Sequence, residues 1–263
     1  MKRQYKSIMT HDIDFVTKFK SIRNVFSAFY RGENSLSDGY QQLQRSKKDR
    51  TTDPYWTMEQ MFELDQQYGI QSRFYFMTDV TNAQYDWNDY RITDKDIATT
   101  IKRLHEQGAE IGIHFSSETQ DNPQQMQKEK QQLEEVLGQT VVHSRQHFLR
   151  YQYPQTFEHL ASLGIQVDSS IGPNRTIEIK GDQPYTYEMT YDDGSPIGVK
   201  QQPFLMMETH LLHQPEYMLH QLSTKVEEIK QQEGEAVVIW HNNNFETRAQ
   251  KDLYRKVLQI LQP

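Results

Sequence analysis

Histidine, carboxylate and arginine side chains follow five short β-rich runs of the chain, at the point where each run ends. They lie in residues 10–14 (Thr-His-Asp-Ile-Asp), at His114, in residues 145–147 (Arg-Gln-His), in residues 168–170 (Asp-Ser-Ser) and at His241. A single histidine at such a place is more often a hydrogen-bonded core or surface residue. Five coincidences at the same end of five strands predict one shared site.

The spacing inside two of these segments predicts which side chains lie on the same face of a strand. Side chains alternate along an extended strand, so Asp12 and Asp14 face the same way, as do Arg145 and His147. Two carboxylates and a histidine that converge in a cavity suit a divalent metal ion next to a general base. The residues therefore predict a metal site beside a proton acceptor.

Alternation of strands and helices supplies the elements that would position this site. Helical stripes such as Ile97, Ile101 and Leu104 separate the β-rich runs. There are seven runs, in residues 5–10, 73–77, 109–114, 140–146, 165–170, 203–207 and 236–241. This pattern predicts a parallel sheet with crossover helices: an incomplete (β/α)7 barrel formed by a single domain, residues 1–263, with an open doubly wound sheet as the alternative. Barrel active sites form at the C-terminal ends of the strands.

Glycine and proline residues agree with these boundaries. Glycine adopts the left-handed conformation at a helix C-terminus without steric cost, and five glycines occur where a helix should end: Gly69, Gly108, Gly138, Gly164 and Gly234. Asn122 before Pro123 is a predicted N-cap.

Two segments interrupt the alternation and are predicted to be insertions, at about residues 16–54 and 172–202. In the first, an apolar stripe of Val16, Phe19, Ile22, Phe26 and Phe29 predicts a helix packed on the barrel, with a lid or a partner surface as alternatives. The second is rich in turns and aromatic residues, which predicts a β-rich excursion.

Composition excludes several classes of function. A net charge of −7 argues against a nucleic-acid partner, and the absence of cysteine excludes disulfides and thiolate metal sites. No stretch approaches the roughly 18 apolar residues of a transmembrane helix. No apolar leader precedes the first run, so a cytoplasmic location is expected.

The order of the motifs resembles the polysaccharide deacetylase (NodB-homology) family, carbohydrate esterase family four. The family motif Thr-Phe-Asp-Asp is similar to residues 10–14, His-Ser/Thr-x-x-His to residues 114–118, Arg-x-Pro-Tyr to residues 145–148, Asp-x-Ser/Ala to residues 168–170 and Leu-x-x-His to residues 239–241. All five motifs occur in the family's order and span nearly the whole chain. The sequences around them look like a divergent bacterial branch that is often linked to surface-polysaccharide genes.

The resemblance implies a metal-dependent hydrolase that removes an N-acetyl group from a sugar of a surface polysaccharide or its precursor, so that the partner is an N-acetylated sugar or glycan. It implies that Asp12 is the catalytic base, that Arg145 pairs with Asp12 and that His241 donates a proton to the leaving amine. Asp168 would orient His241 or Arg145.

The implied metal ion is Zn²⁺, and Mn²⁺, Fe²⁺ or Co²⁺ would also suit carboxylate-rich ligands. Asp14 and His114 would hold it. The family's second metal histidine is replaced by Glu118, which could ligate, and His147 and His11 are rival third ligands.

Two other functions remain open on this scaffold. One is the hydrolysis of another linear amide, and the other is a catalytically inactive carbohydrate-binding barrel. A glycosidase is disfavoured, because Asp12 and Asp14 face the same way and cannot flank a scissile bond.

Overall fold

The computed structural model describes residues 4–79, 86, 88–173, 177 and 184–263. Within these residues, nine strands form one sheet: β1 (Lys6–Ile13), β2 (Gln71–Phe76), β3 (Glu110–Phe115), β4 (His143–Gln146), β5 (Val167–Asp168), β6 (Tyr187–Thr190), β7 (Pro196–Gln201), β8 (Met206–Met207) and β9 (Glu235–Ile239). The same part of the chain contains the helices α1 (Ile22–Tyr30), α2 (Leu36–Lys48), α3 (Met58–Gln67), α4 (Lys95–Glu106), α5 (Pro123–Leu137), α6 (Gln155–Ser162), α7 (Glu208–His213), α8 (Pro215–Gln231) and α9 (Arg248–Leu261).

The strand order is β6-β7-β5-β4-β3-β2-β1-β9-β8. All neighbours are parallel except β6 and β7, which form an antiparallel hairpin at one edge. The seven predicted runs correspond to β1 to β5, β8 and β9. The chain is therefore the incomplete β/α barrel that the alternation predicted, and its two edge strands are β6 and β8.

The predicted insertion at residues 172–202 contributes the β6–β7 hairpin, and β7 extends the parallel sheet beside β5. Residues 174–176 and 178–183 of this insertion lie outside the described residues.

A contact between side chains shows how strongly the sheet curls. Asp12 at the end of β1 and Arg145 on β4 form an ion pair of 2.6 Å, although β2 and β3 lie between their strands. Three strand spacings would separate these strands by about 14 Å in a flat sheet. The curvature therefore turns the strand ends toward a common interior.

Helix boundaries follow the predicted capping residues with one exception. The Asn122 side chain accepts a hydrogen bond from the Gln125 amide, and Gly138 ends α5 in the left-handed conformation (φ 77°), as Gly69, Gly108 and Gly164 do for their helices. Gly234 lies between α8 and β9 as predicted, but the left-handed conformation predicted for it is wrong, because Glu233 adopts the positive φ there (52°). Gly234 instead permits close packing, since a Cβ atom would lie 2.5 Å from the Pro184 carbonyl oxygen.

The predicted helix in the first insertion exists, but the predicted packing of its apolar stripe on the barrel is wrong. Val16 and Phe19 are buried ahead of α1, whereas Ile22, Phe26 and Phe29 on α1 are 43–46% exposed. α1 instead buries Val25 and Ala28 in a small cluster with Phe19 and Leu43. No helix in the described part of the chain is long and apolar enough to cross a membrane.

Between β2 and β3, an aromatic ring occupies space that only a glycine leaves open. A Cβ atom on Gly112 would lie 2.5 Å from Cε1 of Tyr75 and 3.1 Å from the His143 carbonyl oxygen. Tyr75 is completely buried. The ring therefore depends on the missing side chain of its neighbour.

We expect Gly112→Ala to lower the free energy of unfolding by about 1–3 kcal/mol, because the added methyl group overpacks a full interior. Chemical denaturation measures this change. Tyr75→Leu is the companion substitution, since it removes the ring that the methyl group would strike. The double variant should lose clearly less than the sum of the two single variants. Strict additivity would contradict the predicted clash.

Candidate active site

Arg145 and Asp12 form the centre of the site. The Arg145 side chain is fully buried and donates from Nη1 to Asp12 Oδ1 (2.6 Å). Its remaining donors reach the Ser169 carbonyl oxygen (2.9 Å), Ser169 Oγ (3.0 Å) and Thr10 Oγ1 (3.0 Å). The guanidinium also lies 4.5 Å from the centroid of the Tyr75 ring. These contacts together fix the position and orientation of the guanidinium.

This environment keeps Asp12 ionised. Burial by itself would raise the pKa of the Asp12 carboxyl, but Arg145, His114 and His241 outweigh it and lower the pKa to about 2. Oδ1 is bound to Arg145, while Oδ2 lies 3.9 Å from Nε2 of His114 and 3.9 Å from Nε2 of His241. One carboxylate oxygen is therefore anchored, and the other faces the two histidines.

Asp14, His114 and His147 form a group that could hold a metal ion, with ligand atoms all within 4.8 Å of one another. Asp14 Oδ1 lies 3.6 Å from His114 Nε2, which is longer than a hydrogen bond. Two ligand atoms on a tetrahedral zinc ion would be about 3.3 Å apart at normal bond lengths. Asp14 Oδ1 is buried and has no hydrogen-bond partner among the described residues. A buried carboxylate oxygen without a hydrogen-bond partner is suited to bind a metal ion.

Both histidines of this group are oriented through Nδ1. His114 Nδ1 donates to the Arg145 carbonyl oxygen (3.0 Å), and His147 Nδ1 is hydrogen-bonded to Asp86. A carbonyl can only accept, so neutral His114 carries its proton on Nδ1 and its lone pair on Nε2. Burial lowers the pKa of His114, which favours this neutral form. A carboxylate behind a histidine is a common support for metal ligands.

The three candidate third ligands, Glu118, His11 and His147, lie in different surroundings. Glu118 lies on a turn, residues 117–121, and does not belong to the group of Asp14, His114 and His147. His11 points into the core, where Nε2 bonds to Asp65 (2.9 Å). His147 is the third side chain that the fold brings to Asp14 and His114. This donor set of one carboxylate and two imidazoles suits Zn²⁺ and is compatible with Mn²⁺, Fe²⁺ or Co²⁺.

His241 faces the same site from the end of β9. Its Nε2 lies 3.7 Å from Asp14 Oδ2, and its Nδ1 donates to Glu208 Oε1 (2.8 Å). Burial lowers the pKa of His241, but Glu208, followed by Asp14 and Asp12, outweighs burial and raises the pKa to about 10. His241 is therefore a protonated imidazole in this arrangement.

Asp168 does not orient His241 or Arg145 directly. Its carboxylate accepts hydrogen bonds from Ser144 Oγ (2.8 Å), the Ser170 amide (2.8 Å) and Ser170 Oγ (3.0 Å). Among the residues that the structure describes, it forms no hydrogen bond or ion pair with either predicted partner. It holds together the ends of β4 and β5, from which Arg145 and Ser169 extend.

Two supporting carboxylates were missed by the sequence reasoning. Glu208 directly follows β8, so the rule that polar residues gather at strand ends would have found it. Asp86 lies in the long connection between β2 and α4, where no pattern distinguishes it, yet it is fully buried and also accepts from the Ser117 amide and hydroxyl.

An exposed aromatic ring lies at the edge of this site. The Phe148 side chain stacks on His147, with ring centroids 3.9 Å apart and an interplanar angle of 25°. Phe148 is 60% exposed and has a positive φ of 54°, as has Leu149 (55°). Two consecutive non-glycine residues in the left-handed region are strained. The backbone thus holds this ring out over the site at a conformational cost.

No model of a known protein family matches the chain, and no curated protein matches its sequence. Solved structures do. A protein described as a polysaccharide deacetylase from Mycobacterium smegmatis superposes with a TM-score of 0.60 and 15% identity, over 98% of this chain and 83% of that one. Another, from Pseudomonas aeruginosa PAO1, gives a TM-score of 0.56 and 10% identity, over 97% and 83%.

A glycoside hydrolase family 57 branching enzyme from Thermococcus kodakaraensis also matches, with a TM-score of 0.52 and 10% identity, over 99% of this chain and 68% of that one. At such low identity the comparisons establish architecture. The chain has the incomplete β/α barrel fold of the polysaccharide deacetylases, as the order of its motifs predicted.

Proposed function

We propose that the chain is a metal-dependent hydrolase that removes an N-acyl group, such as acetyl, from a sugar of a surface polysaccharide or its precursor. The observation that carries this proposal is the convergence of five side chains at the C-terminal ends of the barrel strands. Asp14, His114 and His147 can hold a divalent ion. Asp12, as an ionised carboxylate, and His241, as a protonated imidazole, lie beside these three side chains.

The residues divide the proton transfers of amide hydrolysis between them. Asp12 accepts a proton from the attacking water through Oδ2, because Oδ1 is occupied by Arg145. The water oxygen bonds to the carbonyl carbon, and the C–N bond breaks. His241 delivers its Nε2 proton to the departing amine nitrogen, and Glu208 at Nδ1 stabilises the charged imidazole before that transfer. A bound divalent ion would polarise the amide carbonyl and lower the pKa of water to about 7.

Retention of Asp12, Arg145 and His241 in a connected arrangement favours an active enzyme over an inactive binding barrel. A barrel that only binds sugar has no need for a carboxylate pinned in its ionised form beside a histidine whose pKa is raised. A sugar is favoured over another linear amide by Phe148, since an exposed ring beside the reactive groups can stack on the apolar face of a pyranose.

The metal site is tested by measuring Zn²⁺ content and affinity for wild type, His147→Ala and Glu118→Ala. We expect about one ion per wild-type chain and a loss of affinity of at least about tenfold in His147→Ala, because one imidazole ligand is gone. Glu118→Ala is the matched control and should bind as wild type does. Loss of the ion in Glu118→Ala but not in His147→Ala would overturn this ligand set.

The proton donor is tested with His241→Gln, which leaves the ion pair of Asp12 and Arg145 intact. Acetate release from a panel of N-acetylated sugars and oligosaccharides should fall about 10²- to 10⁴-fold in kcat. His220→Gln, at an exposed position on α8, is the control and should keep full activity. An unchanged kcat in His241→Gln would remove His241 from the mechanism. Hydrolysis of other linear amides without any acetate release from sugars would favour the rival hydrolase.

The role of Phe148 is tested with Phe148→Ala. Loss of a stacking surface worth about 0.5–1.5 kcal/mol should raise KM about two- to tenfold for an acetylated sugar and leave kcat and metal content nearly unchanged. Tyr217→Ala, which removes another exposed ring, is the control. A lower metal content with unchanged KM would show that Phe148 only shields His147.

A further inference from the structure

The hairpin of α1 and α2 presents an apolar face to solvent. Ile22, Phe26 and Phe29 are 43–46% exposed and Tyr30 is 84% exposed. Their positions, i, i+4, i+7 and i+8, place them on one side of α1. On α2, Leu36 and Tyr40 are 37% and 51% exposed.

This exposure does not result from a loosely packed hairpin. The opposite side of α1 buries Val25 and Ala28 against Leu43 of α2. Gly39 lets the helices approach so closely that a Cβ atom there would lie 2.8 Å from Val25 Cγ1. The two helices are thus firmly packed together, and the apolar residues on their other sides remain exposed to solvent. Several large apolar side chains exposed on one side of a firmly packed helix mark an interaction site.

The charge of the hairpin is opposite to that of the rest of the chain. Residues 22–48, which form the hairpin, contain five basic and two acidic side chains, a formal charge of +3, in a chain of −7. Arg23, Arg45, Lys47 and Lys48 are exposed, and none of them forms an ion pair with a described residue. Arg23 precedes Tyr30 by seven residues and Lys47 follows Tyr40 by seven, so each cation shares a helix face with an exposed ring.

Several contacts fix the start of this hairpin at the active-site end of the barrel. Lys18 pairs with Glu246 (2.5 Å), in the segment that follows His241. The Asn242 side chain donates to the Phe15 carbonyl oxygen (2.6 Å). The apolar and basic surface is therefore attached to the same end of the barrel as Asp12 and Asp14.

We propose that the α1–α2 face docks on an anionic membrane surface. Aromatic and aliphatic side chains beside exposed lysine and arginine are the combination by which interfacial helices bind anionic lipid: the apolar groups enter the interface and the cations pair with headgroups. Symmetric self-association through this face would bring two hairpins of formal charge +3 together and is disfavoured by their repulsion. The inference does not depend on the proposed hydrolase activity.

The test is flotation of the full chain with vesicles of phosphatidylcholine containing phosphatidylglycerol, compared with vesicles of phosphatidylcholine alone. We expect binding to the anionic vesicles only, and weaker binding as salt is raised. Phe26→Ser combined with Phe29→Ser should reduce binding at least tenfold, as should Lys47→Glu combined with Lys48→Glu. Because all four side chains are exposed, the variants should unfold at the wild-type temperature.

Tyr217→Ser, at an exposed aromatic position on α8, is the matched control and should bind as wild type does. Equal flotation with neutral vesicles, or full binding by the Phe26 and Phe29 double variant, would overturn the proposal. So would a wild-type dimer that this double variant dissociates, since the occupant would then be a second copy. Tight binding to a soluble polyanion that is insensitive to the phenylalanine substitutions would also overturn it.

Discussion

A guanidinium removed from water needs both charge and hydrogen-bond acceptors inside the protein, because an unpaired buried charge costs several kcal/mol. Arg145 satisfies this need with Asp12, Thr10 and Ser169, which come from opposite parts of the curled sheet. The ion pair therefore does two things. It fixes the distance between β1 and β4 across the interior, and it holds the Asp12 carboxylate ionised with one oxygen free. Loss of either partner would leave the other as a buried charge without its ion pair.

The interior must also make room for the rings that surround this cation. The guanidinium of Arg145 lies 4.5 Å from the ring centroid of Tyr75 and 5.9 Å from that of Phe204. Each ring occupies space beside a glycine, since a Cβ atom on Gly112 would strike Tyr75 and one on Gly172 would strike Phe204. The glycines therefore contribute to the site although they carry no chemistry. They allow apolar surface to enclose the ion pair, which strengthens its electrostatic interaction by excluding water.

The three histidines of the site share one organising feature. His114, His147 and His241 each bind an acceptor through Nδ1: a carbonyl, the Asp86 carboxylate and the Glu208 carboxylate. The acceptors of His114 and His241 differ in charge, and this difference separates the roles proposed for these two residues. A backbone carbonyl and burial leave His114 neutral, as a metal ligand requires, whereas Glu208 raises the pKa of His241 and keeps it protonated. In the proposed function, the group behind each of these two histidines thus suits one to be a ligand and the other to be an acid.

The sequence alone determined seven of the eight parallel strands, most helix ends and the set of strand-end residues, because hydrophobic periodicity and capping are local properties. It also determined that Asp12 and Asp14 face the same way, since alternation along a strand is local. Tertiary structure decided which distant side chains meet. It brought His147, and not Glu118, to Asp14 and His114. It also placed His11 against Asp65, Asp168 against Ser144 and Ser170, and Asp86 and Glu208 behind His147 and His241. It also left Phe26 and Phe29 exposed, because a helical stripe reveals which side of a helix is apolar but not which surface will cover it.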